Sequence, residues 1–174
     1  MNEISLVPAG KNDMQDIASL AETIWKTHYT PIIGEKQVEY MLGLMYSGEG
    51  MKKQIDEGQQ FFFVKENGRN AGYISVSDKG NGEFFLHKFY IAVSQQGKGL
   101  GKKVFALILQ QFPSLASLTL TVNRKNYKSV NFYFRLGFVI SEVKDFDIGN
   151  GFFMEDFVMN YKRAGTRPPV PPQE

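Results

Sequence analysis

The sequence predicts an α/β (α+β) fold of roughly six to seven strands and about four helices. Three observations carry this. First, the apolar run Phe89-Tyr90-Ile91-Ala92-Val93 leads into Gln96-Gly97-Lys98-Gly99-Leu100-Gly101-Lys102-Lys103. An amphipathic pattern follows, with Val104, Phe105, Ile108, Leu109 and Phe112 on its apolar side. That order is strand, glycine loop, helix. Second, the runs Phe61 to Lys65 and Ala71 to Ser77 flank Asn67-Gly68, a strong hairpin signal. Third, Leu118, Leu120 and Val122 alternate with Thr119, Thr121 and Asn123, as in a half-buried strand.

The remaining elements follow in order. Ile4 to Val7 is a short first strand. Asn12 or Asp13 caps a helix whose apolar stripe is Met14, Ile17, Ala18, Ala21, Ile24 and Trp25. Pro31 and Gly34 break it, and a second stripe follows at Val38, Met41, Leu42 and Met45. Ser47-Gly48-Glu49-Gly50 reads as an interruption before a short helix from Met51 to Ile55. After the hairpin, Asp78 to Gly82 is a turn and residues 83 to 93 form a long central strand. Pro113 closes the helix after the glycine loop. Val130, Tyr133, Phe134 and Gly137 follow helical spacing, with Gly137 as a left-handed cap. Phe138 to Val143 and Phe152 to Tyr161 are the last strands. Residues 1–163 read as one domain. The tail from Ala164, with Pro168, Pro169, Pro171 and Pro172, reads as disordered and partly polyproline II.

Composition limits the function classes. A chain of 174 residues with 43% hydrophobic side chains suits one domain with its own core. It has no cysteine, which removes disulfides, thiolate metal sites and a cysteine nucleophile. Met1-Asn2-Glu3-Ile4 lacks the basic and apolar regions of a signal peptide, and no apolar run approaches membrane-spanning length, so a cytoplasmic location is expected. A net charge of +2 is too small to argue for nucleic acid.

The glycine loop is the strongest chemical signal. Glycines permit positive φ and a close backbone approach to a ligand. A helix start adds unpaired N–H groups and the positive end of the macrodipole, so the unit suits a phosphate. The dinucleotide pattern G-x-G-x-x-G fails, because its third glycine falls on Lys102. The P-loop fails too: no glycine lies five before Gly101, and Lys103 is not Ser or Thr. The pattern that fits is Q-x-x-G-x-G from Gln96 to Gly101, which resembles the acetyl-CoA pyrophosphate loop of the GNAT N-acetyltransferases. Asn126-Tyr127-Lys128-Ser129-Val130-Asn131-Phe132-Tyr133-Phe134-Arg135-Leu136-Gly137-Phe138 resembles a second segment of the same family, N-x-x-[SA]-x-x-F-Y-x-x-x-G-F. The resemblance covers roughly residues 3 to 163.

This resemblance implies a mixed, mostly antiparallel sheet with a splayed central strand pair. It also implies acetyl-CoA as cosubstrate, with no metal. The phosphates would meet Gln96, Gly97, Lys98, Gly99, Leu100, Gly101 and Lys102. Backbone along Phe89, Tyr90 and Ile91, where the central strand bulges, would serve the pantetheine arm and the thioester oxygen. Asn126 and Tyr133 are two helical turns apart on one face, about 10 Å along the axis, which suits an extended ligand arm. Asn126 is equally suited to capping the helix, a compatible role.

Tyr133 is the candidate acid for the leaving thiolate, since a phenol with ordinary pKa near ~10 is protonated at neutral pH. A packed core aromatic is the competing reading. His87 is the candidate base, directly or through water, with an ordinary pKa near ~6.5. Strict alternation puts it on one face with Phe89 and Ile91, and a bulge would change that parity. Glu83 and a water chain are the alternatives. His28 reads as structural or as part of a substrate loop. With no cysteine, direct attack of the amine in a ternary complex is implied.

The acceptor is expected to be a polyamine or other small amine, entering beside Thr27 to Met45, where Tyr29, Glu35, Glu39 and Tyr40 suit an ammonium. Peptide N-termini remain open as acceptors. A non-catalytic acyl-CoA-binding module is a further alternative, and Tyr133 argues against it. A nucleic-acid binder using Lys98, Lys102, Lys103, Lys162 and Arg163 lacks a basic stripe. No membrane partner is expected, and a homodimer is left open.

Overall fold

The computed structural model describes residues 2–92 and 99–165. The expectations for Val93, Gln96, Gly97 and Lys98, and for the tail from residue 166, lie outside these.

Asn-Gly pairs set three of the sheet's connections. Asn67 and Gly68 take φ 49° and 78°, Asn81 and Gly82 take 55° and 77°, and Asn150 and Gly151 take 53° and 78°. Positive φ at both central residues is the two-residue hairpin geometry that matches strand twist. The first turn joins β2 (Gln60–Glu66) to β3 (Arg69–Gly80). The second joins β3 to β4 (Glu83–Ile91), and the third joins β6 (Val139–Gly149) to β7 (Phe152–Lys162). With β1 (Ile4–Ala9) and β5 (Ser117–Asn123), the seven strands hydrogen-bond in the order β1-β2-β3-β4-β5-β7-β6. β4 and β5 run parallel, while β1 with β2, β2 with β3, and β7 with both β5 and β6 are antiparallel. The parallel ladder holds only Glu83, Phe84 and Phe85 against Ser117, Leu118 and Thr119. β4 runs on to Ile91, and β5 runs on to Asn123 paired along its length with β7.

The chain divides into two compact units, Met1–Ser77 with Leu86–Gln111, and Asp78–Phe85 with Phe112–Glu174. The first holds α1 (Met14–His28), α2 (Thr30–Ile33), α3 (Glu35–Tyr46), α4 (Gly48–Asp56) and α5 (Leu100–Gln111). A 3-10 turn, Lys11–Asp13, leads into α1. The buried stripe of α1 is Ile17, Ala21, Ile24 and Trp25; α3 adds Val38 and Met41; α5 adds Leu100, Val104, Phe105 and Ile108. The strands add Phe61 to Val64, Tyr73, Ile74, Val76 and Leu86. The second unit packs α6 (Tyr127–Leu136) with Leu118, Leu120, Val122, Phe138 and Met159 buried.

Several boundaries differ from the sequence reading. The interruption expected over Ser47 to Gly50 narrows to Ser47: α3 ends at Tyr46, Ser47 is extended, and its hydroxyl accepts the Gly50 N–H at 3.1 Å to cap α4, which therefore starts at Gly48 rather than Met51. Pro31 does not end helicity but sits in the first turn of α2, where no backbone donor is needed. β1 runs through Pro8, because a strand at the sheet's edge does not need that residue's N–H. β6 continues past Val143 to Gly149, and its charged residues are compatible with an exposed strand.

Candidate active site

In the first unit the site residues lie on β4 and at the start of α5. Phe84, Leu86 and Lys88 are buried and alternate with less buried neighbours, but Phe89, Tyr90 and Ile91 are half-buried in succession. The in-out alternation of burial stops at Phe89. The Tyr90 carbonyl oxygen lies 2.1 Å from where a Cβ on Gly72 would stand, so β4 crosses β3 over a residue with no side chain. The strand resumes contact at Ala92, whose N–H donates to the Ala71 carbonyl at 2.8 Å. Ile91 therefore need not share the face of His87 and Phe89.

The Tyr90 ring enters an aromatic cluster, with centroids 5.2 Å from Tyr73, 5.5 Å from Trp25 and 6.0 Å from Tyr29. Polar groups inside the cluster satisfy one another. Trp25 Nε1 donates to the Tyr73 hydroxyl at 3.2 Å, and the Tyr46 and Tyr73 hydroxyls are 2.5 Å apart. Burial pushes both phenols well above their usual range, so they are hydrogen-bond groups rather than acids. Tyr29, at the end of α1, is half-buried and also meets the His28 ring at 4.8 Å.

His87 is half-buried, and its Nε2 lies 2.6 Å from the hydroxyl of buried Ser77. Glu83, in the second unit, is exposed at the start of β4. Gly99 takes φ +73° immediately before α5, a conformation that L side chains rarely adopt. Leu100 is buried and anchors the helix start, Gly101 is half-buried, and Lys102 and Lys103 are exposed on the first turn.

In the second unit, Asn126 is buried and caps α6 by accepting the Ser129 N–H at 3.3 Å. Its own N–H donates to the Asn123 carbonyl at 2.9 Å, which ties the cap to the end of β5. Tyr133 is 8% exposed, with its ring 5.4 Å from both Phe132 and Phe138. Gly137, at φ 97°, ends the helix as expected.

The sequence reading missed two buried ionisable residues. Lys88, on the buried face of β4, is 5% exposed with no carboxylate partner among the described residues. Its Nζ donates to Gln54 Oε1 and, at 3.3 Å, to Gln59 Oε1, and it lies 5.8 Å and 5.4 Å from the ring centroids of Tyr46 and Phe61. Gln54 Nε2 is held by the carbonyls of Met45 (2.6 Å) and Gly50 (3.0 Å), so its oxygen faces the amine. Burial lowers Lys88 to about 7. Its signal was the alternation Phe84, Leu86, Lys88. Asp156 of β7, paired with Asn123, is 5% exposed, and burial raises it to about 6 against the opposing pull of a Thr121 hydrogen bond and of Arg124. Arg124 itself pairs with Asp145 at 2.8 Å. Among the described residues no group of three or more His, Cys, Asp or Glu could hold a metal ion.

A mixed seven-stranded sheet with a three-pair parallel ladder and a glycine-led helix start defines a mixed α/β protein. The chain belongs to the acetyltransferase (GNAT) domain family, whose model matches residues 29–153. It is 33% identical over 73 residues to a spermine/spermidine N(1)-acetyltransferase of Bacillus subtilis, a match covering 40% of this chain and 48% of the relative. The match thus spans about half the length of that curated relative. Solved structures share the fold over nearly the whole chain. The PaiA N-acetyltransferase of Thermoplasma acidophilum, in complex with coenzyme A, is 23% identical, with TM-score 0.72 over 92% of this chain and 99% of that one. A GCN5-related N-acetyltransferase of Rhodopseudomonas palustris is 16% identical, with TM-score 0.76 over 94% and 98%. No helix among the described residues is long and apolar enough to cross a membrane.

Proposed function

We propose that this chain is an acetyl-CoA-dependent N-acetyltransferase acting on the primary amine of a small polycation, by direct attack in a ternary complex. The observation that carries this reading is Gly99. A left-handed glycine directly before an amphipathic helix leaves the first-turn N–H groups of α5 to an anion, with Lys102 and Lys103 beside them. Acetyl-CoA would supply the activated acetyl group and leave as coenzyme A; Gly99 to Lys102 would hold its phosphates.

The remaining roles fall to the residues already placed. Backbone at the end of β4, Phe89 to Ile91, donates to the thioester oxygen. Asn126 binds the pantetheine arm. Tyr133 gives its hydroxyl proton to the leaving sulfur, and His87 takes a proton from the acceptor ammonium, directly or through water. The curated relative's name, spermine/spermidine acetyltransferase, favours a polyamine.

The test is a screen of acetyl-CoA consumption against spermine, spermidine, amino acids, aminoglycosides and short peptides, with CoA affinity measured by calorimetry. Polyamine turnover is expected. Gly99→Val should lower CoA affinity at least about tenfold, because a β-branched residue resists positive φ and would reshape the loop. No turnover with any amine, together with unchanged CoA affinity in folded Gly99→Val, would overturn the reading.

A further inference from the structure

β6 ends the strand order, so one of its backbone edges has no neighbouring strand among the described residues. It is 11 residues long and exposed along most of its length. Val139 and Val143 are 62% and 60% exposed, and Ile140 and Phe153 add further apolar surface. The opposite edge, β1, is mostly half-buried. A long edge with exposed apolar side chains is a template for another strand.

We propose that two copies of this chain pair edge to edge through β6, antiparallel, with the two-fold axis at Val143. This register is self-complementary in charge. Val143 meets Val143 of the second copy, and Glu142 lies opposite Lys144 of the second copy, twice over by symmetry. The three residues lie in the regular stretch between the β6 register shifts at Ile140/Glu142 and Asp147/Gly149. Moving the axis between Lys144 and Asp145 is worse. It sets Glu142 opposite Asp147, and it draws on Asp145, whose carboxylate already pairs with Arg124. Of these two registers the charges favour the axis at Val143, and the occupant of the edge is a second copy of this chain.

Sedimentation of the full chain over a dilution series tests this. The wild type should dimerise. Glu142→Lys and Lys144→Glu each place like charges opposite one another, and each should weaken the dimer at least about tenfold. The double variant Glu142→Lys/Lys144→Glu should return the wild-type dissociation constant. Val143→Lys, which sets two lysines on the axis, should give monomers. Circular dichroism confirms that each variant is folded, and all three positions are solvent-exposed. A wild type that stays monomeric, single variants that dimerise like wild type, or a double variant as weak as the singles would each overturn the proposal.

Discussion

The Tyr90 carbonyl occupies the space that a side chain on residue 72 would need, 2.1 Å from the position of its Cβ. The absence of a side chain at Gly72 therefore permits the β4 backbone to approach β3 this closely. Gly72→Ala should force the two backbones apart. The expected loss is about 1–3 kcal/mol, as for other overpacked sites, measured by urea unfolding. Acetyl transfer should fall further than CoA affinity, since the displaced backbone is the one assigned to the thioester. Unchanged stability and turnover would show that β4 can shift at no cost.

Tyr133→Phe keeps a ring that packs against Phe132 and Phe138 and removes only the hydroxyl. Turnover should drop about 10²-fold, with CoA affinity nearly constant. Full activity across the pH range would leave Tyr133 as a packing residue alone.

His87→Gln and Asp156→Asn together test which residue, if either, supplies the base seen in the acidic limb of the rate profile. His87→Gln should lower the rate and flatten that limb without altering CoA affinity. Asp156→Asn should leave the limb in place but change stability. Its carboxyl, raised to about 6 by burial, holds a proton in the folded chain that the unfolded chain has lost. Stability therefore declines as pH rises from about 4 to about 6, and Asp156→Asn should remove that decline. A limb lost in Asp156→Asn and kept in His87→Gln would transfer the base role to Asp156.

Lys88 gives the opposite slope. Its folded pKa of about 7 lies below the ordinary lysine value of about 10.4, so above pH 7 the unfolded chain binds the extra proton. Stability should rise between about pH 7 and pH 10, by at most about 1.4 kcal/mol per pH unit, and be level in this respect below pH 7. The Gln54 and Gln59 carbonyls favour the ammonium form and temper the slope. Lys88→Met should flatten the rise when melting is followed across this range. A slope that persists in the variant would assign it to other groups.

Local chemistry made much of this fold readable in the sequence. Asn67-Gly68 dictated a hairpin because asparagine and glycine tolerate positive φ at both turn positions. Gly137 dictated a helix end for the same reason, and the alternation from Leu118 to Val122 gave β5 its buried face. Tertiary structure decided whatever depended on a partner distant in the chain. Alternation ran through His87, Phe89 and Ile91 in the sequence, but burial stops alternating at Phe89, beside the close approach of the Tyr90 carbonyl to Gly72. Ser47 was legible as a break, but that its hydroxyl would cap the next helix through the Gly50 N–H was not. Lys88 and Asp156 resembled ordinary surface charges, because a residue's charge is written in the sequence while its burial is not. Desolvation, which moves both toward neutrality, arises only when Gln54, Tyr46 and Phe61 close around the one and β5 lies against the other.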